Sequence, residues 1–437
     1  MSSRKLSVIT LGCSKNTVDT EHLLALLPED AFDVIDDTSE HLDCLLINTC
    51  GFIGDAKEES IQTILDAVER KKSSQVDSIV VFGCLSQRYM SELPREIPEV
   101  DAWFGARDLE PVADYLMKAF GIERGKRRTG EWRKTLPSGY AYLKISEGCD
   151  RRCSYCAIPH IRGAHRSVPM EDILSEAEEL VSKGARELIL IAQDTTYYGL
   201  DLYHRRALAE LLQKLSEIDG LEWIRIHYSY PDEFPEDVLD QMASNPKVCK
   251  YLDIPLQHIS DKVLSNMHRH VDGKWTRELI SRLRTRVPGV SLRTTLIVGH
   301  PGEGESEYQE LIDFVKDTGF ERLGAFEYSE EEGTWGAANL KDDVPAEVKR
   351  KRYETLMEMQ AEISLEYNLS RVGTVEKVIV DGFLDSQLVC RSQHESPEVD
   401  GEIIVPVVEG VCVGDFIKVH ITEADYYDLR GEYIGKF

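Results

Sequence analysis

Apolar residues gather in short runs of five to eight, rich in Val, Ile and Leu, separated by longer stretches with helical spacing. Up to about residue 120 the runs Leu6–Thr10, Cys44–Asn48 and Ser78–Phe82 alternate with helical segments, the pattern of a parallel α/β unit. From Tyr140 to about Arg371 the alternation is longer. Ala141–Ile145, Glu187–Ala192, Trp223–His227, Tyr251–Ile254, Ser291–Val298 and Arg322–Phe326 are predicted strands, with helices such as Glu171–Lys183 and Ser306–Thr318 between them. Six βα repeats predict a complete or partial α/β barrel with its site at the strand carboxyl ends. Pro345–Ser370 is a charged helix predicted to pack on the outside. Beyond Arg371, β-branched runs broken by Gly and Asp (Thr374–Asp381, Gln387–Arg391, Gly401–Pro406, Asp415–Thr422) predict a small antiparallel β-barrel.

The 437-residue length fits about three domains at roughly 150 residues each. The predicted divisions are 1–122, a linker at 123–138, 139–370 and 371–437. The formal charge is −27, so the surface as a whole repels phosphate backbones and any nucleic-acid contact has to be local. The linker is such a place: GIERGKRRTGEWRKT carries six basic residues and two acidic ones. The longest apolar stretches, such as Ile79–Leu85, fall far short of the ~18–20 residues of a membrane span, and the opening MSSRKLSVITLGCSKN does not read as a secretory signal. A cytoplasmic protein with no membrane association is expected, and the lack of a coiled-coil pattern or long exposed apolar face predicts a monomer.

In a reducing compartment, clustered cysteines point to metal or redox chemistry. Of the ten cysteines, Cys149, Cys153 and Cys156 form a C-x3-C-x2-C run in GCDRRCSYCAIP, just after a predicted strand. Three thiolates ligate three irons of a cubane cluster and leave the fourth open to a small chelating molecule. A zinc site is the alternative, with His160 or His165 as the fourth ligand that zinc requires. Cys13, Cys50 and Cys84 each follow a predicted strand, so they can converge at the carboxyl edge of one sheet. Cys44 lies inside the apolar run CLLINTC and is expected in the core.

The C-x3-C-x2-C run, with Tyr155 before its last cysteine and a βα barrel opening behind it, resembles the radical S-adenosylmethionine superfamily. TLGCSKNTVDTE, INTCGFIGDAKEES and VFGCLSQRY extend the likeness to the methylthiotransferases, and the carboxyl-terminal barrel resembles their TRAM module. That resemblance implies two 4Fe–4S clusters, one on Cys149, Cys153 and Cys156 and an auxiliary one on Cys13, Cys50 and Cys84, with two S-adenosylmethionine molecules consumed per turnover. It places Tyr155, Gln193, Asp194, Gln257, Arg293, Val298 and Gly299 near the cofactor, although loop hydrogen bonding and turn chemistry account equally for several of them. It also implies a flavodoxin- or ferredoxin-like electron donor and a contact with the ribosome.

The segments AQDTTYYG, RIHYSYP, KYLDIPLQHIS and TTLIVGHPGE resemble most the branch that methylthiolates the β-carbon of an aspartate in the basic small-subunit ribosomal protein twelve. Charge agrees: residues 371–437 hold 6 basic and 13 acidic side chains, where a tRNA-gripping module should be basic. The alternatives are the same chemistry on tRNA adenosine, and a non-catalytic metal-stabilised protein that binds RNA or the ribosome.

Overall fold

The structure is a computed structural model that describes residues 3–28, 30–35, 41–122 and 139–437. The basic segment 123–138 lies outside the described residues. Two compact units form. The first takes the amino-terminal part of the chain together with Glu147–Arg151 and Cys156–Arg166, and the second takes the remainder.

In the first unit five strands, β1 (Arg4–Thr10), β2 (Phe32–Val34), β3 (Leu42–Thr49), β4 (Val76–Gly83) and β5 (Ala102–Trp103), form a parallel sheet in the order β2-β1-β3-β4-β5. The central strands are continuous apolar runs because both faces are covered. Cys44, Leu46, Val80 and Phe82 pack with Leu23, Val112 and Leu116 on one face, while Leu45, Ile47, Ile79 and Val81 pack with Ile64 and Val68 on the other. Cys44 is thus a core residue, and burial pushes its thiol up to about 12.

In the second unit β6 (Tyr140–Lys144), β7 (Glu187–Ile191), β8 (Trp223–Ile226), β9 (Val248–Asp253), β10 (Ser291–Val298) and β11 (Arg322–Glu327) form a six-stranded parallel sheet in sequence order. Of the two forms expected, this is the partial barrel, an open sheet whose end strands are β6 and β11. Its outer face, with Leu143, Leu190, Ile226, Leu252 and Leu292, meets the helices through Ile173, Leu211, Val238, Leu279 and Leu311. Alternating with them are the polar Tyr142, Arg225, Tyr251, Asp253 and Arg293, with the apolar Ile189 and Ile191 on β7.

The terminal module closes into a five-stranded barrel of Val375–Leu384, Gln387–Ser392, Ile403–Pro406, Phe416–Ala424 and Leu429–Lys436. Its pairings are antiparallel except that Ile403–Ile404 runs parallel to Leu429–Arg430. One of its loops enters the open barrel from the amino-terminal side of the strands and reaches as deep as His227, just past the end of β8. There the Ser396 hydroxyl lies 2.7 Å from His227 Nε2, Glu398 accepts from Tyr142 at 3.0 Å, and Asp400 accepts from Tyr251 at 2.7 Å. Buried charges reinforce the joint. Glu187 accepts from Arg225 Nε at 2.7 Å and Arg391 Nη2 at 2.8 Å, and Glu395 pairs with Arg322 and Arg371. Trp223 meets Phe416 edge to face at 4.8 Å. Among the described residues no helix is long and apolar enough to cross a membrane.

Glycines prepare the cysteine-bearing ends. Gly12, Gly83 and Gly148, each directly before a cysteine, have φ of +94°, +104° and +79°, which L side chains rarely adopt. A Cβ on Gly83 would also stand 2.4 Å from Asn48 Oδ1 and 2.6 Å from the Thr49 carbonyl. Gly83→Ala is therefore expected to lower stability by about 1–3 kcal/mol, read as a shifted denaturant midpoint at unchanged slope. The buried carboxylates predict an acid response. Burial opposes ionisation of Glu187 and Glu395, but their arginine neighbours outweigh it and hold both below the ordinary carboxylate range. A depressed folded-state pKa contributes stability that is present above the unfolded value, near 4.5, and lost as pH falls through the folded one. Stability measured by urea denaturation should fall steeply below about pH 4.5, and Glu395→Gln should cost about 3–5 kcal/mol at pH 7 and flatten that fall.

Candidate metal and cofactor site

The first unit gathers three thiols at one edge of its sheet. Register pairs Thr49 with Gly83 on neighbouring strands, so Cys50 and Cys84, the next residues, leave the sheet side by side. Cys13 leaves the adjacent strand as the N-cap of helix α1 (Ser14–Ala25). A Cβ on Gly12 would come within 2.7 Å of Cys50 Cβ and 2.9 Å of its Sγ, so only glycine lets the two loops approach this closely. Asn16 ties the three turns together. Its Nδ2 donates to the Leu11 carbonyl at 2.7 Å and the Thr49 carbonyl at 3.2 Å, and its Oδ1 lies 3.8 Å from Cys84 Sγ.

Cys50 and Cys84 are buried while Cys13 is exposed. Burial raises both buried thiols, Cys84 to about 12, with the Arg162 guanidinium opposing the rise. Such thiols are not thiolates at neutral pH unless a cation displaces the proton, which is what a metal ligand does. Three sulfur donors suit an iron–sulfur cluster. Among the described residues no three Cys, His, Asp or Glu side chains already stand at ligating separation, so the edge collects the thiols without closing them into a finished cage.

Cys149, Cys153 and Cys156 are partly exposed. In the first unit the Cys149 amide donates to the Gly163 carbonyl at 3.1 Å. In the second, Ser154 anchors the middle of the run: its amide donates to the Met267 carbonyl at 2.9 Å and its hydroxyl to the Asn266 carbonyl at 2.6 Å. Arg269 Nη1 approaches Cys153 Sγ at 3.7 Å, and its guanidinium lies 4.0 Å from the centre of the Tyr230 ring. Tyr155 meets the edge of His300, a ring whose pKa burial lowers to about 4, so His300 is neutral at physiological pH.

Most of the expected cofactor residues stand at carboxyl ends of the open barrel. Gln193 and Asp194 follow β7, where Asp194 caps a short turn by accepting from the Thr196 amide and hydroxyl at 3.0 and 2.6 Å. Gln257 follows β9 with φ +72° and bridges to β10, its amide donating to the Thr295 carbonyl at 2.9 Å. Its Oε1 is buried with no partner among the described residues. Val298 ends β10, and the Gly299 amide donates to Glu303 at 2.9 Å. A Cβ on Gly299 would strike Lys349 Cγ at 2.3 Å.

Arg293 is not brought to this end. It is the third residue of β10, about 16 Å along the strand from Val298, and its guanidinium is held by Asp253 at 2.9 Å and Asp400 at 3.5 Å. Asp400 belongs to the terminal module, and Asp253 is the last residue of β9. Arg162, Asn16 and Arg269 contact the ligand candidates and went unnoticed in the sequence. The only signal was proximity, since Asn16 follows Cys13 by three residues and Arg162 follows Cys156 by six.

Residues 5–105 match the family described as "Uncharacterized protein family UPF0004", 143–315 the Radical SAM superfamily, and 372–434 the TRAM domain. The chain is 49% identical over 432 residues to the ribosomal protein uS12 methylthiotransferase RimO of Porphyromonas gingivalis, covering 98% of this chain and 99% of that one. It is 48% identical to that of Bacteroides fragilis over 99% of this chain and all of the relative. Among solved structures, the radical S-adenosylmethionine methyltransferase TsrM from Kitasatospora setae, with cobalamin and a [4Fe-4S] cluster bound, superposes with a TM-score of 0.56 at 14% identity, over 87% of this chain and 81% of that one, a likeness of fold alone. Membership in the superfamily carries with it a [4Fe–4S] cluster and S-adenosylmethionine. With near-identical lengths and close to half of all positions shared with the RimO enzymes, the chain belongs to the RimO-type family of radical S-adenosylmethionine methylthiotransferases.

Proposed function

We propose that this chain adds a methylthio group to the β-carbon of an aspartate in ribosomal protein uS12, using two 4Fe–4S clusters and two S-adenosylmethionine molecules per turnover. The observation that carries the reading is the collection of Cys13, Cys50 and Cys84 at the ends of neighbouring strands, a second thiol set beyond the one that the radical chemistry requires. Residues 1–122 then serve the auxiliary cluster, 139–370 the radical step and 371–437 the partner.

When bound, the two clusters and S-adenosylmethionine supply a 5′-deoxyadenosyl radical for hydrogen abstraction and a sulfur that accepts a methyl group. The chain's own part is to hold and orient. Cys149, Cys153 and Cys156 would hold the cluster that binds the cofactor, with Tyr155 beside the last of them. Gln257 offers a buried carbonyl oxygen with no partner among the described residues, an acceptor matched to an amino group of the cofactor. Gln193, Asp194, Val298 and Gly299 line the same carboxyl end, where neutral His300 adds no charge. An aliphatic C–H has no useful acidity, so no pair of side chains could replace this chemistry.

Charge supports a basic protein partner. The terminal module is acidic, and several of its exposed acids, among them Glu409, Glu423, Asp425 and Glu432, are free of the joint with the open barrel. A flavodoxin- or ferredoxin-like protein is the proposed electron donor.

The test is paired. Anaerobic, reduced enzyme is incubated separately with uS12 and with tRNA, and each is examined by mass spectrometry. A methylthio gain on an aspartate of uS12 is expected; modified tRNA beside untouched uS12 would overturn the substrate assignment. Cys153→Ala should abolish release of 5′-deoxyadenosine. Cys13→Ala should retain that release and yield no methylthio product.

A further inference from the structure

Arg162 ends the short helix Ile158–Arg162, which stops there because Gly163 turns to φ +84°. Its side chain is 2% exposed, so a full positive charge has been taken out of water. A buried cation persists only if it is paired and hydrogen-bonded. The first unit supplies both. Nη1 meets Asp19 Oδ2 at 2.6 Å, Glu147 Oε2 at 3.2 Å and the Ala106 carbonyl at 3.3 Å, and Nη2 donates to Asn16 Oδ1 at 2.6 Å. The remaining donor, Nε, points at Cys84 Sγ, 3.2 Å away.

Two carboxylates already outweigh one guanidinium. An ion pair serving the fold alone would need neither the second acid nor the thiol. Cys84 packs against the apolar Ala106, Ala157 and Ile161, and among the described residues its side-chain hydrogen bonds are to Arg162 and Asn16. Asn16, held by Arg162, is also the residue that ties together the turns carrying Cys13, Cys50 and Cys84.

We infer that Arg162 is a positioning residue for the auxiliary cluster, its Nε–H donating to the Cys84 sulfur when that sulfur is a ligating thiolate. The inference rests on the proposed role of Cys13, Cys50 and Cys84; the Sγ in the structure is a thiol standing for the thiolate. Donors to a ligating sulfur stabilise the electron-rich, reduced state and so raise the reduction potential, and they fix the orientation of the ligand. Arginine suits the task because its rigid fork serves the carboxylates with Nη1 and Asn16 with Nη2 while Nε reaches the sulfur. Lysine keeps the charge, but its single ammonium cannot serve both.

The test uses the full-length chain with Cys149, Cys153 and Cys156 replaced by Ala, so that only auxiliary iron is read. This parent should take up about four irons. Adding Arg162→Lys should leave the iron content unchanged, move the midpoint of an EPR-monitored redox titration to lower potential, and speed iron loss to a chelator by roughly 10-fold or more. A lysine variant with the parental midpoint and release rate, whether or not its melting temperature falls, makes Arg162 a structural ion pair and overturns the inference. Should the lysine variant fail to fold, the pair Arg162→Gln with Asp19→Asn removes cation and counter-ion together and is judged by the same two readouts. A parent that takes up no iron overturns the cluster assignment beneath the inference; a four-iron parent with an indifferent lysine variant overturns the inference alone.

Discussion

Everything at the candidate site depends on how parallel strands end. Parallel neighbours run in one direction, so their carboxyl ends share an edge, and residues far apart in sequence become neighbours there. In the first unit the step off the sheet edge is a glycine followed by a cysteine at Gly12–Cys13 and Gly83–Cys84. Each glycine has positive φ and no room for a Cβ. The bend turns each cysteine out of the strand, and the missing Cβ lets the loops close on one another. Asn16 then cross-links the turns, and Arg162 is anchored to Asn16.

The opposite end of the open barrel is occupied by the chain itself. Inward-facing positions at the amino ends of the strands are polar, and the terminal module meets them with Arg391, Glu395, Ser396, Glu398 and Asp400. Buried charge pairs contribute little net stability against apolar packing of the same shape, but they penalise any other seating heavily. The joint thus specifies geometry. It also refines the charge argument for the partner: Glu395 and Asp400 are buried and paired within the chain, as are Arg371 and Arg391, so only the exposed remainder of the module, still acidic, is open to a partner.

The architecture was largely legible because its strands are continuous apolar runs and its helices are periodic. Leu429–Lys436 escaped, since glycines at 431 and 435 break its apolar alternation and its outward residues are exposed. The parallel pairing of Ile403–Ile404 with Leu429–Arg430 could not be read without that strand. Thiols were legible where spacing or strand ends marked them. Their arginine partners were not, because Arg162 and Arg269 look in sequence like any surface cation, and only tertiary packing brings them to Cys84 and Cys153. Arg293 shows the converse: a polar residue on a barrel strand suggests a site, but its place at the strand's amino end directs it to Asp253 and Asp400.

The central claim is that the two thiol triads each hold a four-iron cluster. Iron and sulfide counting on the anaerobically reconstituted full-length chain tests it most directly. About eight irons per chain are expected, falling to about four when either triad is replaced by alanine. Four irons with no loss on Cys13→Ala would contradict the account.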